Sequence, residues 1–472
     1  MLTLAQVTPP YGNPYLGCNP SELNLSVSGI PGLFCSPKCS VIYENGCNPL
    51  KAPDVQAMPE CQIGVNSTSN NYCALICNTQ AAEDQCDTKG GASCHHVSGV
   101  QGVCTYESAY GTNNLANDLA NPGNDLSMTA DSPTNTLILF NPSQPATNFD
   151  IINAINNNPN ATWSAEASPR FDGWTLGRAS NIANGAFRRN NGNDDDDDTI
   201  VLDYITPDLD IPTDFDPRLD PNMSRCNATI AHIRDQTDCG GCWAFSATES
   251  FNDRRCLATN DTTLISVQDT GACCSGGSCM HSNGCVGGFP GAAWDWFVHT
   301  GVVTGGDQSD INKTDTCEPF SLLVCTRNIS HVTPLHPMCP KGEYKMPACV
   351  SVCPNTGYST LYAKDKKFAK SSFKIKRYPL TTVHEELMTH GSVSTLITVF
   401  QDFLHYKGGV YKHLSGWEIG SHAIVVVGWG VENGEKYWLC KNSWGNTWGL
   451  NGFMKIGYSQ VGIENSFVAG YV

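Results

Sequence analysis

The sequence predicts an α+β protein with two subdomains and a cleft between them, preceded by a small disulfide-rich domain. Two observations support this fold class. After Cys226 the segments with helical signals come first and the short β-branched or aromatic segments follow, which predicts a helical half and then a β-barrel-like half. From Cys18 to Cys104 the chain instead carries ten cysteines among many Gly, Asn and Ser residues, which is typical of a domain stapled by disulfides.

Composition excludes several classes of function. The 472 residues are enough for two to four domains. A net charge of −17 disfavours nucleic acid and anionic membrane surfaces as main partners. No apolar run reaches the length of about 18 residues that a membrane span needs. The 24 cysteines are spread over the whole chain, which indicates an oxidising compartment.

We expect the chain to enter the secretory pathway. Acceptor sites for N-glycosylation support the argument from cysteines; they are Asn24, Asn66, Asn160, Asn222, Asn227, Asn260, Asn312 and Asn328. The opening MLTLAQVTPP is too short for the charged and apolar regions of a signal peptide, so a trimmed leader is expected. Composition does not separate a lysosome-like or vacuolar compartment from the extracellular space. The chain is expected to be a monomer.

The first two zones of the chain are a module and a linker. Residues 1–106 form the Cys-rich accessory module. His95 and His96 raise the alternative of a metal site there, but no second ligand pair stands at zinc spacing, so disulfides are preferred and no metal is expected. Residues 107–147 contain no cysteine and are read as a linker.

Residues 148–210 form a third zone, with signs of weak folding. Phe149, Ile152 and Ile155 fall near helical spacing. The acidic run from Asp194 to Asp198 is interpreted as a solvated insertion, although protonation of its carboxylates in an acidic compartment is an alternative role.

Residues 211–472 have the composition of a globular enzyme. Helices are predicted for WAFSATESFNDRRC, GGFPGAAWDWFVHTG and LTTVHEELMTHG, of which the last two are closed by Gly301 and Gly391. Strands are predicted for SVSTLITVF, HAIVVVGWG, EKYWLCKNSW and GFMKIGY, which are short and bounded by glycines.

The stretch QTDCGGCWAF places Cys242 at the start of a predicted helix, where unsatisfied N–H groups and the macrodipole favour a thiolate. A thiolate nucleophile needs a general acid for the leaving amine, and His422 at the start of a predicted strand is the candidate. Asn442 in KNSWG would orient the imidazole, and Trp444 would cover that contact. The joint pattern predicts Cys-His-Asn chemistry.

These motifs, together with CCSGGSCMHSNGCVGGFP and YWLCKNSWGNTWGLNGF, resemble the papain-like cysteine proteases and, within them, cathepsin B. The resemblance covers nearly everything from about Trp163 to Val472 and implies a papain-like fold. It implies a zymogen whose propeptide, residues 148–210, inhibits a peptidase domain of residues 211–472, with cleavage near Asp208 to Ile211. We call residues 148–210 the prosegment. Protein and peptide substrates are implied, and no cofactor; the ligand of the Cys-rich module stays unknown.

The resemblance implies a role for each matching residue. Cys242 would be the nucleophile, His422 the acid and base, and Asn442 the orienting group. The Gln236 side chain and the Cys242 backbone N–H would form the oxyanion hole. Substrate would contact Gly240, Gly287, Gly288, Phe289, Pro290, Ala423, Trp444 and Ser466. The implied disulfides are Cys226–Cys256, Cys239–Cys285, Cys273–Cys349, Cys274–Cys279, Cys317–Cys353 and Cys325–Cys339, which leaves Cys440 as a free thiol.

The chain departs from the cathepsin B pattern at two places. In the segment of about 317–353, which resembles the occluding loop, His331 matches one of two adjacent histidines that grip a substrate carboxylate, but its neighbour is Ser330. Endopeptidase activity with weakened peptidyl-dipeptidase activity is therefore expected. Ser466 stands where cathepsin B has an acidic residue at the floor of the S2 pocket, so apolar residues should be preferred there over arginine.

The sequence also allows a different class of function. In that alternative the chain is a secreted matrix or binding protein whose Cys-rich module carries the function, and the protease-like domain is catalytically weak. A missing nucleophile would favour it, whereas Cys242, His422, Asn442 and Gln236 are all present.

Overall fold

The protein is described from a computed structural model, in two compact units, residues 1–142 and 143–472. The residues it describes are 22–26, 33–37, 58–65, 71–78, 86, 92–98, 101–106, 137–138, 143–187, 200–202, 206, 209–326, 330, 332–333, 337–340 and 344–472. The acidic run Asp194 to Asp198 and the loop residue His331 lie outside these ranges.

The described part of the first unit contains an antiparallel sheet, to which its disulfides are attached. Its strands are β1 (Glu22–Ser26), β2 (Leu33–Pro37), β3 (Met58–Val65), β4 (Asn71–Asn78), β5 (Ala92–Ser98), β6 (Gln101–Tyr106) and β7 (Leu137–Ile138). They follow the order β1-β2-β6-β4-β3-β7, with β5 paired to β6. Disulfides join Cys77 to Cys94 and Cys86 to Cys104. The strand β7 lies within the predicted linker and pairs with β3.

The prosegment contributes four elements to the second unit: α1 (Phe149–Asn156), β8 (Trp163–Ala165), α2 (Leu176–Ala183) and β9 (Ile200–Leu202). Helix α1 begins after Asn148, whose side-chain oxygen accepts hydrogen bonds from the N–H groups of Asp150 and Ile151. The fold corrects one detail of the predicted helix. Phe149 is 64% exposed, and Ile151 takes its place on the buried face with Ile152 and Ile155.

The helices of the peptidase region are α3 (Asn227–Ile230), α4 (Cys242–Thr259), α5 (Val267–Cys273), α6 (Pro290–His299), α7 (Tyr362–Asp365) and α8 (Thr381–Thr389). Helix α4 is central, because every residue from Cys242 to Cys256 is buried. On one side it packs into an aromatic core in which the Phe251 ring lies 5.5 Å from Trp294 and 5.0 Å from Phe297.

The strand-rich half consists of β10 (Phe373–Ile375), β11 (Val393–Phe400), β12 (Tyr406–Tyr411), β13 (Glu418–Glu432), β14 (Glu435–Lys441), β15 (Phe453–Gly457) and β16 (Val468–Ala469). With two prosegment strands they form one sheet of order β8-β12-β15-β14-β13-β11-β16-β10-β9. Strand β8 pairs antiparallel with β12, and β9 pairs parallel with β10. The prosegment therefore adds a strand at each end of the sheet.

The two halves meet where α4 crosses β13. The hydroxyl of Ser246 on α4 donates a hydrogen bond to the carbonyl oxygen of Ile424 on β13 at 2.7 Å. This contact brings the beginning of α4 beside the beginning of β13. The helices and strands that the peptidase sequence predicts are present here, as α4, α6, α8, β11, β13, β14 and β15.

Six disulfides cross-link the described part of the peptidase region, and most of their cysteines are buried. The bonded pairs are Cys226–Cys256, Cys239–Cys285, Cys273–Cys349, Cys274–Cys279, Cys317–Cys353 and Cys325–Cys339, the same six that the family resemblance implies. Among the described cysteines, Cys242 and Cys440 are free thiols, and both are buried.

Candidate active site

Cys242 is the first residue of α4, which follows Gly241 directly. Its sulfur accepts a hydrogen bond from the backbone N–H of Ala423 on β13 at 3.4 Å. Cys239, three positions earlier, is bonded to Cys285 and holds the turn before the helix in place. Of the two neighbouring cysteines, only Cys242 can therefore act as a thiol.

His422 and Asn442 lie on adjacent strands. His422 is on β13, and Asn442 follows the last residue of β14. The Nε2 atom of His422 lies 2.8 Å from Oδ1 of Asn442. The other ring nitrogen, Nδ1, is buried and has no hydrogen-bond partner among the described residues. The backbone of Ile182 in the prosegment also interacts with this imidazole and opposes the lowering of its pKa.

Trp444 packs against the imidazole of His422. Its ring lies 4.8 Å from the imidazole of His422 and is fully buried. On another side the ring meets Phe171 of the prosegment edge to face at 5.3 Å. Trp444 therefore lies between the imidazole of His422 and the Phe171 ring of the prosegment.

Gln236 is held with its amide nitrogen directed toward the prosegment. Its Oε1 accepts a hydrogen bond from the hydroxyl of Ser443 at 2.6 Å. Its Nε2 donates to the carbonyl oxygens of Cys239 at 2.8 Å and of Ile182 at 3.0 Å. A carbonyl of the prosegment thus already accepts a hydrogen bond from the group that would stabilise an oxyanion.

The prosegment passes through the cleft in extended form. Gly185 lies against Cys242, since a Cβ added there would come within 3.0 Å of the sulfur. The carbonyl of Gly185 accepts from the N–H of Gly288 at 3.1 Å, and the N–H of Phe187 donates to the Gly288 carbonyl at 2.9 Å. Gly287 must lack a side chain, because a Cβ there would meet the Phe187 ring at 2.5 Å. The glycine pair therefore presents its backbone to an extended chain.

An apolar pocket lies on one side of the sulfur. Ala186 of the prosegment is buried there with Leu396 and Ala423, in one cluster with Cys242. The Ser466 hydroxyl accepts a hydrogen bond from the Leu396 N–H at 3.1 Å. The cluster is thus apolar, and the neutral hydroxyl of Ser466 contacts it through the backbone of Leu396.

Phe289 and Pro290 border the prosegment on the helical side of the cleft. The ring of Phe289 meets that of Phe187 at 5.6 Å, and Pro290 is the buried first residue of α6. Gly240 lies beneath Gly185, since a Cβ on Gly185 would reach the Gly240 carbonyl oxygen at 2.2 Å. Gly240, Gly287, Gly288 and Phe289, four of the residues named for substrate binding, therefore lie against residues 185–187 of the prosegment.

Burial keeps the reactive pair uncharged in the intact chain. It raises the pKa of the Cys242 thiol to about 12, against a weaker opposing effect of backbone N–H groups such as that of Ala423. It lowers the pKa of His422 to about 4, opposed by the hydrogen bond to Asn442. The expectation that α4 favours a thiolate is therefore wrong for the intact chain, because the prosegment removes the water that would solvate the charge.

Several predicted glycosylation sites can be located. Asn160, Asn222, Asn260 and Asn312 are exposed, whereas the side chain of Asn227 is half-buried and donates to the carbonyl oxygen of Arg218. Asn24 lies on β1, and Asn66 and Asn328 are outside the described residues.

Sequence reasoning missed three contributors to the site. Ser443 orients Gln236, and its place beside Asn442 in KNSWG is the signal that could have indicated it. Leu396 lines the apolar pocket from β11. Asp238, inside QTDCGGCWAF, forms an ion pair with Arg178 of α2. No local pattern in the sequence shows this pairing.

Neither a metal site nor a membrane helix is indicated by the described part of the chain. The two groups there with three candidate ligands are Cys77, Cys86 and Cys104, and Asp238, Cys325 and Cys339. All of these cysteines are bonded in disulfides, so they do not offer thiolates. None of the described helices combines the length and the apolar character that crossing a bilayer requires.

Comparison with known proteins agrees with this geometry. The model of the papain family cysteine proteases matches residues 211–471. Cathepsin B-like cysteine proteinase 4 of Caenorhabditis elegans is 42% identical over 265 residues, which cover 55% of this chain and 75% of that protein. A cathepsin B-like cysteine proteinase of Schistosoma japonicum is 36% identical over 327 residues, covering 68% of this chain and 90% of that one.

A solved structure extends the likeness to the proform. Procathepsin B S9 from Trypanosoma congolense superposes with a TM-score of 0.55 at 25% identity, over 69% of this chain and 99% of the other. The fold is therefore papain-like, and the sequence relatives make the chain a cysteine endopeptidase produced as a zymogen, in preference to an inactive binding protein. The chain belongs to the papain family of cysteine proteases.

Proposed function

We propose that Cys242, His422, Asn442 and Gln236 perform the peptide hydrolysis, each in the role that the family pattern implies. The observation that carries the proposal is the contact of β13 with α4, in which Ala423 binds the Cys242 sulfur while its neighbour His422 is held by Asn442. One nitrogen of the imidazole is thereby fixed and the other is left for proton transfer.

In the proposed reaction the imidazole of His422 takes the thiol proton, and the sulfur of Cys242 attacks the carbonyl carbon of the scissile bond. The new S–C bond places negative charge on the carbonyl oxygen, where Gln236 Nε2 and the Cys242 N–H donate hydrogen bonds. The C–N bond then breaks, and the imidazolium gives its proton to the leaving amine.

The second half of the reaction releases the acyl group. A water molecule loses a proton to His422 and attacks the thioester carbon of the acyl-enzyme. The second oxyanion collapses, the C–S bond breaks, and the peptide leaves with a new carboxyl group. The proton returns to the sulfur and imidazole pair, so the enzyme is unchanged.

The prosegment would inhibit this reaction in two ways. It occupies the cleft, with Ile182 accepting from Gln236 and Gly185 lying over Cys242. It also excludes water from the thiol and the imidazole and so favours their neutral forms, which opposes formation of the thiolate nucleophile. Activation then requires release of residues 148–210, with a cut near Asp208 to Ile211.

We further propose a preference for internal bonds preceded by an apolar residue in the pocket of Leu396, Ala423 and Ser466. The neutral Ser466 hydroxyl offers no counter-charge to arginine there. His331 and the adjacent loop residues would supply only part of the grip on a terminal carboxylate. An amidated peptide should therefore be cut about as fast as its free-acid twin.

The compartment in which the enzyme acts is proposed from its disulfides and its glycosylation sequons. Disulfides on both compact units and exposed glycosylation sequons such as Asn160 and Asn260 support a secretory route. An acidic lysosome-like compartment or the extracellular space would both suit it. We propose that the enzyme acts as a monomer and that the Cys-rich module, residues 1–106, binds a separate ligand.

The test compares the two free cysteines. Wild type, Cys242→Ala and the control Cys440→Ala are processed by one immobilised aspartic protease and assayed with an internally quenched peptide. Cys242→Ala should lower kcat/KM by more than about a thousandfold. Cys440→Ala, which alters the other buried thiol, should stay close to wild type. Retained activity in correctly processed Cys242→Ala would reject the assignment.

A further inference from the structure

A buried ion pair joins the prosegment to the turn before Cys242. Arg178 on α2 donates from Nη2 to the carboxylate of Asp238. The Asp238 side chain is 0% exposed and that of Arg178 is 17% exposed. A carboxylate buried to this degree is stable only where cations or hydrogen-bond donors compensate it. Release of the prosegment removes one of these compensating groups.

The path of the prosegment shows on which side of the sulfur Asp238 lies. After Gly185, which lies at the sulfur, Ala186 enters the apolar pocket with Leu396 and Ala423. The residues before Gly185, from α2 onward, therefore cover the opposite side of the cleft. Under the proposed function the apolar pocket binds the acyl part of a substrate. Asp238 then lies on the side of the leaving amine.

A second observation places Asp238 beside the disulfide Cys325–Cys339. Its carboxylate lies within 4.8 Å of the sulfurs of Cys325 and Cys339, which close a loop. The backbone N–H of Tyr344, which follows the loop, also donates to the Asp238 carbonyl oxygen at 3.4 Å. Asp238 is therefore held beside this disulfide, close to the turn before Cys242.

The neighbouring Asp235 differs in one respect. It too meets a prosegment arginine, with 3.3 Å between its Oδ1 and Nη2 of Arg170. Its carboxylate, however, also accepts the backbone N–H of Thr237 at 2.7 Å and is 15% exposed. Asp235 therefore keeps this backbone donor when the prosegment leaves, and it serves as the neighbouring control.

We propose that Asp238 selects substrates with arginine or lysine on the leaving-group side of the scissile bond. The proposal rests on the proposed function. In the zymogen Arg178 occupies the site, and in the mature enzyme a basic side chain of the substrate takes its place. Charge-assisted hydrogen bonds of this kind correspond to a rate preference of roughly tenfold to a hundredfold. The same carboxylate repels a terminal carboxylate, which agrees with weak peptidyl-dipeptidase activity.

The test uses the mature enzyme and internally quenched peptides that share an apolar acyl part. Arginine or its neutral isostere citrulline is placed at each of the first three leaving-group positions. Wild type should show kcat/KM at least about tenfold higher for arginine at one position. That preference should disappear in Asp238→Asn and persist in Asp238→Glu and in Asp235→Asn.

Two results would overturn the inference while leaving the proposed function intact: equal cleavage of arginine and citrulline peptides by wild type at every position, or loss of the preference in Asp235→Asn alone. The wild-type comparison decides the matter even when Asp238→Asn does not fold. Failure of wild type to cut any peptide would instead reject the proposed function.

Discussion

Gly185→Ala should expose the Cys242 thiol while the prosegment is still covalently attached. The added Cβ would lie 2.2 Å from the carbonyl oxygen of Gly240 and 3.0 Å from the sulfur. The nearest of these atoms is backbone, which cannot rotate away, so the prosegment has to leave the cleft. Water would then reach the sulfur, and the pKa of the thiol should fall from its value of about 12.

The size of the effect follows from the contacts that would be lost. Three backbone hydrogen bonds hold this stretch, from Ala186 to Ser421, from Phe187 to Gly288 and from Gly288 to Gly185, at 2.9 to 3.1 Å. At about 0.5–1.5 kcal/mol each they total about 1.5–4.5 kcal/mol. The population of the open form should therefore rise roughly tenfold to a thousandfold.

The assay is the rate at which iodoacetamide alkylates Cys242 at neutral pH in the full-length chain, followed by mass mapping over times too short for processing. In wild type burial raises the pKa of the Cys242 thiol far above neutral pH, so little thiolate forms and labelling should be very slow. Gly277→Ala is the control, because its Cβ would meet no atom within 4 Å. Equally slow labelling of Gly185→Ala, Gly277→Ala and wild type would refute the proposal that the prosegment protects the thiol.

Three further predictions follow from individual contacts. Asn442→Ala removes the acceptor of the His422 hydrogen bond. The kcat/KM of the mature enzyme should therefore fall about fivefold to 150-fold, with little change in KM. An unchanged kcat would contradict the orienting role of Asn442. Ser466→Glu should raise the ratio of kcat/KM for Arg-Arg over Phe-Arg substrates roughly tenfold or more, whereas a matching rise in Ser466→Gln would show that charge is not the cause. Burial raises the pKa of Glu249 to about 7, so its contribution to stability is present below the unfolded pKa of about 4.5 and is lost as pH rises to about 7. The test measures thermal unfolding of Glu249→Gln and of its parent, both in a Cys242→Ser background, from pH 4.5 to 7. Over this range the variant should gain about 3 kcal/mol of unfolding free energy relative to the parent. A difference that stays constant across the range would contradict this pKa.

Local patterns predicted much of the peptidase region. Strands β13 and β14 are rich in β-branched or aromatic residues, and helix α4 contains neither proline nor glycine, so their existence could be predicted without tertiary information. The pairing of Cys239 with Cys285, by contrast, came from the family resemblance. Sequence spacing alone leaves such a pairing open.

Other features depend on contacts that no local pattern encodes. The helix terminus at Cys242 favours a thiolate, but burial by a distant segment reverses the result. The pairing of Arg178 with Asp238 joins two regions of chain far apart in sequence. In α1, both Phe149 and Ile151 suit a helix, and only packing decides that Ile151 is buried.

The strands of the N-terminal unit could not be predicted from local sequence either. Strands β3 to β6 are rich in Cys, Gly and polar residues, so hydrophobic alternation does not reveal them. Their pairing is recognised only once the sheet and the bonds Cys77–Cys94 and Cys86–Cys104 are known.

The central claim is that Cys242 is the nucleophile of a protease released from its prosegment. The most direct test is to activate the purified full-length chain at acidic pH in the presence of an irreversible thiol-directed peptide epoxide. Mass mapping then identifies the labelled residue and the new N-terminus. We predict label on Cys242 with a chain that begins near Ile211. A processed chain without label, or label on Cys440 instead, would contradict the account.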